Sequence, residues 1–296
     1  MRIGVDLGGS KIEIIALGDD GEVLLRERVA TPQGDYAATL AAVAGLVAAA
    51  AKRVGAGDTA TRIGIGIPGA ESRVTGLIKN ANSTCLIGKP LKRDLETALR
   101  REVRIANDAN CFALSEAVDG AGAGASVVFG VILGTGVGGG IVVDAKVLTG
   151  ANAIAGEWGH NPMAGEHHKD VCYCGRKGCV ELFLSGPGLA RDHRRVTGAD
   201  CSPQLIAERS ATGDADSEAT LQRYEARLAR ALAQVINILD PDVIVLGGGL
   251  SNIDRLYRNV PRLWEEHVFS DQVATKLLKH KHGDSSGVRG AAWLWH

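Results

Sequence analysis

The sequence has almost no net charge: 33 lysines and arginines face 34 aspartates and glutamates along 296 residues. Without a basic excess there is no electrostatic footprint for a polyanion, so nucleic acid is not an expected partner. It also lacks an unbroken apolar stretch long enough to span a bilayer. Met1 leads straight into the alternating Ile3, Val5 and Leu7, with no charged leader, apolar core or cleavage site. A cytoplasmic protein without a membrane partner is the expectation. Cysteine is sparse, and in a chain of this size its six residues read as thiols or metal ligands rather than disulfides. Apolar residues, by contrast, make up 45% of the chain, enough to fill one large or two medium domains.

Hydrophobic periodicity orders the chain into two similar rounds. Arg2 to Leu7, Ile12 to Leu17 and Glu22 to Val29 read as an antiparallel meander. Asp35 to Arg53 has helical spacing with Asp35 as N-cap, Arg62 to Ile67 is a strand ended by Pro68-Gly69, Pro90 to Leu99 is a helix, and Arg104 to Ala106 is a short strand. The second round begins with a strand at Val127 to Leu133, a turn at Gly134 to Gly138 and a return strand at Gly139 to Val143. Leu221 to Leu239 is a long helical pattern closed by Asp240-Pro241 before the strand Val243 to Leu246. Gly287 to Trp293 is a last helix, returning to the first lobe. The repetition predicts an α/β protein of two related lobes with a cleft between them. Residues 1–107 with 285–296 would form the smaller α/β lobe and 108–284 the larger.

Two glycine-rich turns follow strands, where unhindered backbone N–H groups can approach a phosphate. The first is Gly4-Val5-Asp6-Leu7-Gly8-Gly9-Ser10-Lys11, in which Asp6 leaves a strand and can hold Mg²⁺ through water; a plain hairpin with a surface Asp is the alternative. The second is Leu133-Gly134-Thr135-Gly136-Val137-Gly138-Gly139-Gly140. Its glycine spacing imitates a dinucleotide fingerprint, but Ile141-Val142-Val143 continues as a strand where that fold requires a helix. Gly247-Gly248-Gly249 would accommodate an adenosine moiety or simply make a crossover turn.

Between the two loops, Asp108 follows a strand and is flanked by Asn107 and Asn110. A carboxylate there can take a proton from a substrate hydroxyl while the amides orient its neighbours, and an N-cap role is compatible with this. Further on, Cys172, Cys174 and Cys179, with His160 upstream, supply three thiolates and an imidazole, the donor set of a closed structural Zn²⁺ site. Reduced, metal-free cysteines are the alternative, and His167, His168 and Tyr173 stand close enough to confuse the ligand count. Glu181, two residues past the last cysteine, is either carried toward a site by the same loop or solvated at the surface. Cys85, Cys111 and Cys201 read as ordinary small buried residues.

In this order, the motifs resemble the ROK family of bacterial sugar kinases and sugar-responsive repressors. The likeness runs from Asp6-Leu7-Gly8-Gly9-Ser10-Lys11 through Cys172-Tyr173-Cys174-Gly175 and Gly178-Cys179-Val180-Glu181 to Lys281-His282-Gly283-Asp284. It implies a two-lobed, actin-like (ribonuclease-H-like) ATPase fold and transfer of phosphate from Mg²⁺-bound ATP to a sugar 6-hydroxyl. Asn82 within Lys79 to Thr84, Glu157-Trp158-Gly159-His160-Asn161-Pro162, and His282 to Gly290 are most similar to ROK fructokinases of the manno-fructokinase type, with N-acetylglucosamine kinases next. Fructose, and with it mannose, is therefore the expected substrate. The resemblance implies Asp108 as general base, and Asn107, Glu157, His160 and Glu181 on sugar hydroxyls together with Gly69 and Asn82. It implies Asp6 near Mg²⁺, Gly8 to Lys11 and Gly134 to Gly136 around the phosphates, His160 both on zinc and on the sugar, and a homodimer. Two positions depart from the pattern: Ser10 stands where many members carry Thr, and Cys85 where related fructokinases tend to have Trp. Asp6 lies too near Met1 to leave room for the winged helix of the repressor branch.

Overall fold

A computed structural model describes residues 1–55, 61–81, 83–166 and 170–295. Asn82, His167 and His168, which figured among the candidate site residues, lie outside the described residues.

β1 (Arg2–Leu7), β2 (Lys11–Leu17) and β3 (Val23–Ala30) form the antiparallel meander that the alternation predicts, with β1 on β2 from Arg2↔Leu17 to Leu7↔Ile12. α1 (Tyr36–Arg53) starts where the Asp35 side chain accepts the Ala38 N–H at 3.0 Å. β4 (Arg62–Ile67) lies parallel to β1, the short β5 (Ala70–Glu71) and β6 (Ile78–Lys79) pair with each other, and α2 (Leu91–Leu99) leads to β7 (Val103–Asn107), parallel to β4. The first sheet has the order β3-β2-β1-β4-β7, and α3 (Asp108–Val118) leaves its last strand without a loop.

The second round repeats this order. β8 (Val127–Leu133), β9 (Val137–Val143), β10 (Lys146–Val147), β11 (Val243–Gly247) and β12 (Lys276–Lys279) form a sheet of order β10-β9-β8-β11-β12. Between β10 and β11 run α4 (Glu181–Leu184), α5 (Gly186–Thr197), α6 (Pro203–Ala211) and α7 (Ala215–Leu239); α8 (Leu256–Trp264) precedes β12, and α9 (Ser286–Trp293) ends the chain. α7 stops where predicted, at Asp240, whose left-handed φ of 47° caps it. The chain divides into two compact units, Met1–Gly124 with Gly140–Ala155 and Asp284–His296, and Ala125–Gly139 with Gly156–Gly283. No helix of the described residues is long and apolar enough to cross a membrane.

In the first unit the alternating strands bury Ile3, Val5, Ile12, Ile14, Ile63 and Ile65 completely, and α1 adds Val43 and Val47. Each such side chain contributes roughly 1.5–3 kcal/mol by leaving water. α9 closes one face of this sheet, and it lies closer than side chains would allow. A Cβ on Gly64 would overlap the carbonyl oxygen of Ala291, and one on Gly4 that of Val288. At its C-terminal end, three arginines from the starts of β1, β4 and the β7 strand hold the chain. Arg2 Nε and Arg62 Nη1 donate to Trp295 O at 3.1 and 3.3 Å, Arg104 Nη1 donates to Leu294 O at 2.6 Å, and the Arg104 guanidinium lies 4.0 Å from the Trp295 ring centroid. Cations there satisfy the last carbonyls and oppose the negative end of the helix dipole.

Because the obstacle at Gly64 is backbone rather than a movable side chain, Gly64→Ala should destabilise the protein by about 3 kcal/mol, the upper end for overpacking. Urea unfolding with an unchanged m-value and a lower midpoint is the expected result; an unshifted midpoint would show that α9 has slack at this contact.

Candidate active site

In the first unit the parallel strands bring two carboxylates together at their C-terminal ends. Asp6 stands at the end of β1, in register with Glu13 of β2 and Gly66 of β4, and Asp108 opens α3 directly after β7. Burial, then the charges of Asp108 and Glu13, push the Asp6 carboxyl up to about 6, against the opposing pull of Lys11 and Arg28. Glu13 itself is 1% exposed and ion-paired with Arg26 and, at 2.7 Å, with Arg28, both on β3. The meander reading placed Glu13 on a strand without recognising it as a charge next to Asp6; its strand spacing to Arg26 and Arg28 was the available signal.

The residue that caps α3 is Asn107 rather than Asp108. Asn107 Oδ1 accepts the Ala109 N–H at 2.9 Å, and its Nδ2 donates to Gly69 O at 3.1 Å, so both ends of the amide are engaged within the protein. Gly69, with φ +81°, supplies the turn after β4 that brings its carbonyl there. Asp108 Oδ1 also accepts the Ala109 N–H, at 2.8 Å. Its side chain is open to solvent, yet the crowding of nearby protein desolvates the charge enough to raise its carboxyl above the ordinary range, against the hydrogen bonds from Ala109 and Asn107. One turn along α3, Cys111 is fully buried, and burial together with the Asp6 and Asp108 charges pushes its thiol well up. Cys201 is buried as expected, and Cys85 is half-buried.

The two glycine loops have distinct accessible parts. In the first, Gly4, Val5 and Leu7 are enclosed in β1, while Gly8 to Lys11 form the hairpin turn, closed by Gly8 N–H donating to Lys11 O at 3.0 Å. In the second unit, Gly134 N–H donates to Gly136 O at 3.0 Å, and Thr135 is exposed at the tip. Val137 and Gly139 are buried, Gly138 O accepts the Trp158 indole N–H at 3.0 Å, and Gly140 falls in the first unit against Ala109. Gly247 ends β11; Gly248 backs onto the Leu133 main chain and Gly249 is exposed.

The cysteine loop closes on itself in the second unit. Cys172 N–H donates to Arg176 O and Gly175 N–H to Cys172 O, both at 2.8 Å, and Cys179 bridges to Pro162. Among the described residues, His160, Cys172, Cys174 and Cys179 form a group whose ligand atoms all lie within 4.8 Å of one another. Cys174 Sγ and Cys179 Sγ are 3.6 Å apart, and Cys172 Sγ is 3.7 Å from His160 Nδ1. Thiolates on a tetrahedral zinc stand about 3.8 Å from each other, so these donors fit such an ion with little rearrangement. His160 turns Nδ1 to the thiols, and its Nε2 is 3.1 Å from the Tyr173 hydroxyl.

The same loop sets Glu181 at the start of α4, half-buried rather than solvated. Its Oε2 accepts the Val137 N–H at 3.0 Å, and its Oε1 is 3.7 Å from Cys172 Sγ. One carboxylate thus joins the second glycine loop to the metal-ligand cluster. Glu157 is exposed immediately before the turn carrying His160. Behind the loop, Glu166 accepts from Arg227 at 2.7 Å and from Arg230 at 3.1 Å, and Asp192 binds Arg227 at 2.9 Å, which ties the loop's flank to α5 and α7.

A family profile described as the ROK family matches residues 2–296. The chain is 42% identical over 302 residues to a protein named N-acetyl-D-glucosamine kinase from Vibrio cholerae, covering 99% of each. Among solved structures it is similar to a ROK hexokinase from Thermus thermophilus, with a TM-score of 0.87 and 29% identity over 99% of this chain and 97% of that one. It is also similar to a ROK family glucokinase from Streptomyces griseus in complex with glucose and AMPPNP, with a TM-score of 0.78 and 27% identity over 98% of this chain and 97% of that one.

Proposed function

The chain belongs to the ROK family, whose sugar kinases share its actin-like ATPase fold, and from that premise we propose that it transfers the γ-phosphate of ATP to the 6-hydroxyl of N-acetylglucosamine. The observation that carries the substrate is the 42% identity, over 99% of both chains, to the Vibrio cholerae N-acetyl-D-glucosamine kinase. The fructokinase expectation rested on short segments, and nothing in the comparisons supports it. Cys85 in place of the fructokinases' Trp points the same way.

In this reading Asp108 takes the proton from the attacking hydroxyl, with Asn107 and Gly69 holding the strand-to-helix junction on which it stands. Glu157, His160 and Glu181 bind sugar hydroxyls. Asp6 would hold Mg²⁺ through water. The turns Gly8 to Lys11 and Gly134 to Gly136 stand around the phosphates and offer the N–H groups of the exposed Gly9 and Thr135, those of Gly8 and Gly134 being engaged in closing the turns. His160, Cys172, Cys174 and Cys179 would hold zinc, which in a closed four-donor site supplies structural rigidity and no chemistry. Positioning and charge stabilisation carry the reaction, as befits a loose phosphoryl-transfer transition state.

The test is coupled ADP release with N-acetylglucosamine, glucose, mannose and fructose. We expect kcat/KM for N-acetylglucosamine to exceed that for fructose at least about tenfold, a difference of about 1.4 kcal/mol in transition-state binding. The reverse ranking would restore the fructokinase reading, and no ADP release with any sugar would remove kinase activity altogether.

A further inference from the structure

Thr31 stands just past β3 and binds the first glycine turn with both of its donors. Its hydroxyl donates to Gly8 O at 2.7 Å, and its N–H donates to Ser10 O at 3.0 Å. A third carbonyl of the turn, that of Lys11, accepts the Gly8 N–H at 3.0 Å. Thr31 is itself held in place. It follows the last pair of β2 and β3, Lys11↔Ala30, and it precedes Pro32, whose ring fixes the backbone and whose carbonyl lies 3.1 Å from the buried Thr39 hydroxyl on α1.

These bonds set the direction of the N–H groups in the turn. In a trans peptide the carbonyl and the N–H that follows it are opposed across one plane. Drawing Gly8 O toward Thr31 therefore turns the Gly9 N–H away from it, and drawing Ser10 O toward Thr31 does the same for the Lys11 N–H. Gly9, Ser10 and Lys11 are exposed. A phosphate requires N–H groups that face it and carbonyl oxygens that face elsewhere. A carbonyl that swung outward would set a partial negative charge against the anion.

We propose that Thr31 is a positioning residue for the nucleotide: it draws the carbonyls of Gly8 and Ser10 to its own side and so aims the Gly9 and Lys11 N–H groups at the phosphates of ATP. Thr31 acts through the turn and does not touch the nucleotide. This rests on the phosphate reading of Gly8 to Lys11 given above. Of its two bonds only the hydroxyl's is open to substitution, since any residue but proline supplies the N–H.

Thr31→Val removes the hydroxyl and keeps a β-branched side chain suited to extended backbone. Isothermal titration should show binding of Mg²⁺-AMPPNP weakened about tenfold, as for one lost hydrogen bond, and binding of N-acetylglucosamine without nucleotide changed less than about twofold. Thr31→Ser retains the hydroxyl and should bind the nucleotide within about threefold of the wild type. Equal losses for both ligands, or a serine variant as weak as the valine one, would make Thr31 a support of the fold alone and overturn the proposal. Unchanged nucleotide binding in Thr31→Val would overturn it too. Should the valine variant not fold, Thr31→Ala removes the same hydroxyl and is read in the same way. Gly9→Asp tests the reading beneath, because a carboxylate in the turn repels phosphates and should abolish Mg²⁺-AMPPNP binding. Full binding by Gly9→Asp would place the phosphates elsewhere and sink both, whereas its loss with an unaffected Thr31→Val would sink the role of Thr31 alone.

Discussion

Asp108→Asn is expected to lower kcat about 10³-fold while sugar binding stays within about twofold of wild type, the range for removal of a general base. The amide is nearly isosteric with the carboxylate, and its oxygen can still accept the Ala109 N–H that Asp108 Oδ1 now accepts at 2.8 Å. The helix start is independent of it, because Asn107 provides the cap. Geometry is therefore preserved, and only the capacity to take a proton is lost. Single-turnover ADP release, with calorimetry for the sugar, separates the two effects. An unchanged kcat would remove Asp108 from the chemistry.

The pH profile should agree. The base must be ionised, and crowding raises the Asp108 carboxyl above its ordinary range, so the acidic limb of kcat/KM should lie above about pH 4, where an unperturbed carboxylate would place it. Activity falls as pH decreases through that limb, because protonated Asp108 has nothing to accept with. The contribution of Asp108 to that limb should be lost in Asp108→Asn, while Asp6, whose carboxyl is itself raised to about 6 and must be ionised to hold Mg²⁺, keeps its own.

Much of this arrangement was legible because it is local. Strand alternation placed β1 and β4 at their observed limits, the Asp35 cap set the start of α1, and the Gly134 to Gly138 turn marked the junction of β8 and β9 to within a residue or two. The motif order was enough to resemble the family. What stayed hidden depends on contacts distant in sequence. Nothing near Glu181 announces that its carboxylate reaches Val137, 44 residues earlier. Whether Asp108 or Asn107 caps α3 depends on where the carbonyl of Gly69 lies. Tyr173 looked like a confusing neighbour of the cysteines until the orientation of His160 gave it a partner. Substrate preference was least legible of all, since the groups that separate one hexose from another sit on loops with no periodicity to read.

Removing the metal donors should have the second large effect. Cys179 is 1% exposed, lies 3.6 Å from Cys174 Sγ and bridges Pro162, so it joins the two ends of the loop that delivers Glu181. Cys179→Ser should reduce zinc from about one per chain to less than about a tenth, because a hydroxyl does not replace a thiolate in a structural site. Glu181 and His160 then lose their common anchor, and sugar affinity should fall about 100-fold, the upper range for disturbing groups that orient a site. Global unfolding is not expected. The loop's flank remains bound by Glu166 to Arg227 and Arg230, and the second unit keeps its sheet and its α7 packing. Elemental analysis, sugar calorimetry and thermal unfolding on the same preparation distinguish the cases: loss of metal and of sugar binding with a Tm lowered by only a few degrees supports a locally acting zinc loop. A metal-free variant that binds sugar as tightly as the wild type would mean that backbone pairing alone holds Glu181 and His160 in place, and the metal would then have no part in the site.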